Sequence, residues 1–305
     1  MIVPHRLHLR KLVLYIAPAL AILFAYDMLV VLAYFSGWTW LALPHIPLSL
    51  FGGAIGVILG FRNNTAYQRW WEARTLCGSI VNSSRSLARQ ALTMIVAVGD
   101  TPEELDQVTA IQRQILFHQI AYVHALRCHL RGQTAWGELK TFLPPEEIAS
   151  LKSETNVPLA IHQRIGLLLR YCYERQWIDS LRWASLDETL AALINAQGGT
   201  ERIKNTPLPV QYDYYPKIAV TVYCIVLPLG LVANLGIFTP IGSTVVGLIF
   251  LALDRIGRDL ESPFENTIND IPLQSIARTI EINLKQQLQD SMLPDAVKPV
   301  EGVLW

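Results

Sequence analysis

The chain has 305 residues, 51% of them hydrophobic and 16% charged, with a mean hydropathy of +0.30. That balance is membrane-like. Basic and acidic residues number 25 each, so no net field argues for nucleic acid or for electrostatic docking on acidic lipid.

The opening MIVPHRLHLRK, followed by an apolar run, superficially resembles a secretory signal. Residues 12–35 are too long for one, hold a single charge, Asp27, and have no small-residue cleavage site before a polar domain. They predict a retained membrane span, for which roughly 20 apolar residues suffice. Residues 36–61 contain no acidic or basic side chain, and Gly37, Pro44 and Pro47 break the pattern between the two runs. This predicts a hairpin of two spans, with domain 1–61 as the first membrane hairpin. Asp27 inside its span is costly, and is either met by an amide, a hydroxyl or water, or attracts cations directly.

The second run ends abruptly at Arg62, yet its helical pattern continues into polar sequence, IPLSLFGGAIGVILGFRNNTAYQRWW. Gly52, Gly56 and Gly60 fall on one stripe suited to close helix contact. Gly53, Val57, Phe61, Asn64 and Gln68 fall on the stripe beside it, which turns from apolar to amide-bearing as a water pathway leaving a dry constriction would. The bland reading of Val57 and Phe61 is packing against lipid or helices. Trp70 and Trp71 read as structural, either an interfacial belt or buried anchors.

Residues 62–217 read as a cytoplasmic helical region, with helices over 65–98, 103–131, 145–176 and 186–203 and helix boundaries marked by Gly99-Asp100-Thr101-Pro102, Gly132, Pro144-Pro145 and Gly198-Gly199. His118, His124, Cys128 and His129 share one predicted helix; His124 and Cys128 have a spacing that could hold a metal, but no third and fourth ligand lies nearby, so no metal is expected. The four cysteines, Cys77, Cys128, Cys172 and Cys224, stand far apart and read as reduced thiols. No nucleophile elbow, phosphate loop, metal signature or kinase motif is present, which argues against an enzyme.

Residues 218–253 are a second charge-free stretch, interrupted around Asn234, Gly236 and Pro240, so domain 218–256 is read as a second membrane hairpin and 257–305 as a cytoplasmic C-terminal segment. Asp254 and Arg255 mark its cytoplasmic edge as a solvated or interhelical pair. An amphipathic stretch, 272–289, is expected to dock on the cytoplasmic helices. The tail 294–305 is expected to be extended. Arginine and lysine cluster before the first span (Arg6, Arg10, Lys11), after the second (Arg62, Arg69, Arg74), before the third (Lys217) and after the fourth (Arg255, Arg258). By that asymmetry both termini and the middle region are expected to be cytoplasmic.

Three motifs in order, GFRNNTAYQRWWEAR at 60–74, NTPLPVQY at 205–212 and ESPFENTINDIPL at 261–273, set in this two-hairpin frame, resemble the bestrophin family and its bacterial members in particular. The resemblance runs nearly end to end. It implies an all-α fold with four membrane helices per subunit, and a homopentameric channel whose second span lines a narrow hydrophobic neck. The bacterial relatives are associated with monovalent cations, so a channel for ions such as sodium is expected, the alternatives being an anion channel of the same architecture or a secondary transporter. The family's neck has three apolar positions one turn apart, which fall here on Phe61, Val57 and Gly53, with Asn64 and Gln68 lining the inner vestibule. Gly53 departs from that pattern: either the outer neck is wide, or Ile55 or Ile58 partly faces the pore. A second constriction falls near Leu181, with Arg182 beside it; if Arg182 pointed inward, its charge would oppose cations. Eukaryotic relatives carry a dense acidic run that clasps calcium. SPFENTIND offers only Glu265 and Asp270, so no tight calcium site and no cofactor is expected, although Asp270, like Asp27, could attract cations.

Overall fold

The computed structural model describes residues 9–305, with side chains from Ile16 onward. Of the basic residues expected before the first span, Arg6 and the side chains of Arg10 and Lys11 lie outside the described residues. Ten α-helices carry the regular structure of the described residues: α1 Leu9–Phe35, α2 Leu48–Met94, α3 Pro102–Leu130, α4 Trp136–Leu139, α5 Pro145–Leu151, α6 Val157–Glu174, α7 Ser180–Asn205, α8 Val210–Leu235, α9 Thr239–Glu261 and α10 Leu273–Gln287. The chain is all-α, as expected; among the described residues only an isolated bridge between Val300 and Val303 departs from that pattern.

Internal contacts divide the helices into two compact units. One holds the described residues up to Trp71 with Pro207–Ser262, the other Glu72–Thr206 with Pro263–Trp305. The long α2 contributes to both, since nothing between Leu48 and Met94 breaks it: the stretch contains no proline, and its buried positions recur at helical spacing from Ile55 through Leu59, Arg62 and Ala66 to Ala73, Cys77 and Ile80.

In the first unit α1 packs on α8 and α9, and α8 on α9. Leu23, Ile55, Leu59, Val220, Tyr223, Cys224 and Leu227 form its main core, and Val30, Val31 and Val232 a smaller one. Its outside is apolar too, with Ile22, Leu29, Leu32, Phe35, Ile218, Val222, Ile241 and Val245 all exposed. Helices that are hydrophobic all round belong in lipid. Two segments, Ile16–Phe35 and Val210–Glu261, are long and apolar enough to cross a membrane, each with mean hydropathy 2.2, and the second contains both α8 and α9. The apolar half of α2 does not qualify, because in one continuous helix it gives way to polar sequence at Arg62.

The second unit is built on α3. Thr101 caps it by accepting the Glu104 N–H, Pro102 occupies its first turn, and α6, α7 and α10 pack against it. The docking expected of residues 272–289 is therefore seen, on α3. The single helix predicted over 145–176 is two, α5 and α6: Asn156 caps α6 by accepting the Leu159 N–H, and Pro158 in the first turn prevents continuation from before. Gly198-Gly199, expected as a boundary, instead lies inside α7, which continues to Asn205 with both glycines in helical backbone. The four cysteines are free and buried, and burial pushes the Cys77 and Cys172 thiols up to about 12.

Candidate functional site: the outer stripe of α2 and its anchorage

Every third or fourth residue of α2 in the first unit turns inward, and the residues between them do not. Leu59 and Ala66 are fully buried, while Val57 is 60% and Phe61 68% exposed. Gly53, Val57, Phe61, Asn64 and Gln68 all lie on the exposed side, so the structure brings the predicted neck and vestibule positions onto one continuous face. It also separates the two isoleucines left open beside Gly53: Ile55 enters the core, whereas Ile58 is exposed. Of the glycine stripe, Gly52 lies against Tyr223, whose Oη a Cβ would approach to 2.8 Å; Gly56 and Gly60 have nothing within 4 Å of such an atom. A turn further on, Tyr67 stacks on Trp70 and Trp71 with ring centroids 6.5 and 6.3 Å apart.

Beside Phe61 in sequence, and a 100° step around the helix, Arg62 is buried at 1% exposure. A guanidinium there needs partners, because an unpaired buried charge is prohibitive. Its Nη2 donates to Asp213 Oδ1 of α8 at 2.6 Å, and its Nη1 to Asp254 Oδ1 and to the Asp254 carbonyl of α9 at 2.8 and 3.0 Å. Asp254 also receives Arg258 at 2.6 Å. Asn63 Nδ2 donates to the Leu253 carbonyl at 2.9 Å and Arg69 Nε to the Glu261 carbonyl at 2.8 Å. Asp254 is thus an interhelical partner, one of the two roles the sequence left open for it. Sequence reasoning missed this cluster as a unit. Its signal was the register: Arg62 falls three residues after Leu59 on the packed stripe.

Asp27 is fully buried. Thr244 Oγ1 donates to its Oδ2 at 3.4 Å, and its Oδ1 has no hydrogen-bond partner. It presents no carboxylate to solvent here. Asp270 is likewise buried and takes the Thr267 hydroxyl, while Glu265 pairs with Lys204 at 2.6 Å. Leu181 and Arg182 lie in the first turn of α7, Leu181 being 81% exposed. Arg182 is folded back: its Nε lies 3.4 Å from Asp179 Oδ2 and its Nη1 donates to the Met94 carbonyl at 3.2 Å.

The histidine helix resolves differently from a metal site. His124 shares its two ring nitrogens between Glu138 and Glu281, at 2.9 and 3.1 Å, and Cys128 accepts from Arg127. Among the described residues no group of three or more His, Cys, Asp or Glu side chains is placed so that it could hold a metal ion.

Residues 7–286 match the family model for bacterial/fungal bestrophin proteins. A voltage-dependent anion channel-forming protein of Ralstonia nicotianae is 34% identical over 83% of this chain and 80% of its own length. A protein of the same description from Escherichia coli, YneE, is 33% identical over 83% of this chain and 80% of its own. The crystal structure of a bacterial bestrophin homologue from Klebsiella pneumoniae superposes with a TM-score of 0.83 at 28% identity, covering 91% of this chain and all of that one.

Proposed function

The chain belongs to the bacterial/fungal bestrophin family of ion channels, and from that premise we propose that it is a passive channel for monovalent ions whose gate is a dry neck formed by Val57 and Phe61. The observation that carries the reading is the two-sidedness of α2: Leu59 is sealed in the core, while Phe61, two residues on, turns most of its ring outward. Copies gathered about an axis, as a homopentamer in the bacterial inner membrane with both termini cytoplasmic, would set five such rings face to face. Apolar walls at close quarters disfavour water, and emptying of the throat is the closed state. Gly53 leaves the outer end wide; Asn64 and Gln68 supply amides where the pathway becomes wet.

A neck of this kind selects weakly by itself, so the sign of the permeant ion comes from charges above and below it. The relatives named above are described as anion channel-forming. The carboxylates that favoured cations, Asp27 and Asp270, are buried, whereas Arg182 is partly exposed beside Leu181. We therefore favour anions over the sodium-like selectivity expected from the resemblance. Tight calcium binding is not part of this reading, because Glu265 and Asp270 are engaged elsewhere in their own unit.

Single-channel recording in a planar bilayer under a sodium chloride gradient tests it. The expected currents do not saturate as a transporter's would, reverse toward the chloride potential, and in Phe61→Ala show a higher open probability. Reversal at the sodium potential overturns the anion assignment; absence of unitary currents overturns the channel.

A further inference from the structure

We propose that Arg62, held by Asp213 and Asp254, is the positioning residue of the neck: it fixes the rotation of α2 about its own axis, and weakening its grip frees Phe61 to leave the pathway. The inference rests on the reading of Phe61 as a gate and adds to it the device that keeps the gate shut.

The geometry is specific to rotation. Apolar burial around Leu59 opposes separation of the helices, but its driving force is non-directional and names no single angle for α2 as bonds of fixed geometry do. A planar guanidinium bonded at once to carboxylates on two different helices cannot turn with α2 and keep both bonds. The Asn63 and Arg69 bonds to the Leu253 and Glu261 carbonyls reinforce it along the α9 side. Gly257 completes the seat. A Cβ there would collide with Asn63 Oδ1 and lie 3.4 Å from Arg62 Nη1, so the glycine leaves the space that the Asn63 side chain fills beside α9. Since Arg62 directly follows Phe61, a turn of one residue step is enough to exchange which of the two faces outward.

The two carboxylates are not equivalent. Asp254 is buried and shared with Arg258, so its loss disturbs folding; Asp213 is 38% exposed at the start of α8 and, among the described residues, pairs with Arg62 alone. Asp213→Asn is thus the variant that loosens the grip while leaving Arg62 paired to Asp254. Arg62→Lys is the companion, keeping the charge but losing the planar two-pronged reach.

The test is a double-mutant cycle on reconstituted channels, reading open probability for wild type, Asp213→Asn, Arg62→Lys, Phe61→Ala and the double variant Asp213→Asn with Phe61→Ala. A several-fold rise in Asp213→Asn that disappears in the Phe61→Ala background supports the proposal, because loosening a gate already removed adds nothing. An equal rise in both backgrounds overturns it, since the carboxylate would then act elsewhere. Open probability unchanged in Asp213→Asn overturns it as well, and that variant decides alone where Arg62→Lys fails to assemble. Phe61→Ala without effect, whatever Asp213→Asn does, removes the gate reading beneath the proposal and the proposal with it.

Discussion

His124 shows how one residue can couple the stability of the second unit to pH. Its ring nitrogens face Glu138 on α4 and Glu281 on α10, both within hydrogen-bond distance, and only the imidazolium donates to both. Burial by itself pushes the imidazole pKa down, but the bonds and charges of the two glutamates outweigh it and the pKa lies above the ordinary histidine value. Glu138, held chiefly by His124 and helped by Arg127, is lowered to about 2. For a base with a raised folded pKa, the stabilisation is complete below the unfolded value, roughly 6.5, and is lost as pH rises through the folded value. The melting temperature of the purified channel is therefore expected to fall as pH rises above about 6.5, and His124→Gln to lose that slope while melting lower at pH 6. Breaking a buried charged network of this kind costs about 3 kcal/mol. Thermal unfolding followed by circular dichroism at several pH values checks both; equal alkaline slopes in variant and wild type would remove His124 as the cause.

Helices were legible in the sequence to the extent that their signals are local. The α3 start at Thr101-Pro102, the α10 stripe and the unbroken run of α2 all depend on residues within a few turns, and the structure returns them nearly as read. The split between α5 and α6 was legible in principle, through Asn156 and Pro158, but the apolar period spans the break and hides it. The exposed stripe of α2 could be read from spacing alone. Which residues anchor its other face could not, because Asp213 and Asp254 lie 151 and 192 residues from Arg62 and nothing local distinguishes them from surface carboxylates. The Gly257 contact is the sharpest case of such long-range fit. Gly257→Ala is expected to destabilise the first unit by about 1–3 kcal/mol, the usual cost of overpacking a tight contact, and thermal melting against wild type measures it. A further round combines it with Asn63→Ala, which removes the atom the new Cβ meets; recovery of much of the loss is expected, and no recovery would mean that the α2 to α9 approach is not what the glycine serves.

At the scale of the whole molecule, the proposed function separates the task of closing the pathway from that of choosing its ion. On that reading closing falls to α2 in the first unit, where no charged side chain lies among the exposed residues from Gly53 to Gln68. Choosing would fall to charges away from the neck, and the second unit offers Arg182 in the first turn of α7, beside Leu181, the most exposed large hydrophobic side chain among the described residues. Its guanidinium is tethered to Asp179 and to the Met94 carbonyl but not sealed, so it contributes a screened positive potential to the water around Leu181. Reversing one charge about 4 Å from a passing ion changes that ion's energy by about 2 kcal/mol in water, which after salt screening still leaves a several-fold change in permeability ratio. Arg182→Glu is accordingly expected to move the reversal potential several-fold in permeability toward the cation while leaving the open probability near that of wild type; an acidic residue in a first helical turn is well tolerated. Asp27→Asn is expected to leave the reversal potential where it was, because that carboxylate is enclosed by the first unit and faces no water. If instead Asp27→Asn shifts selectivity and Arg182→Glu does not, the permeant ion is chosen within the membrane helices, and the division of labour between the units fails.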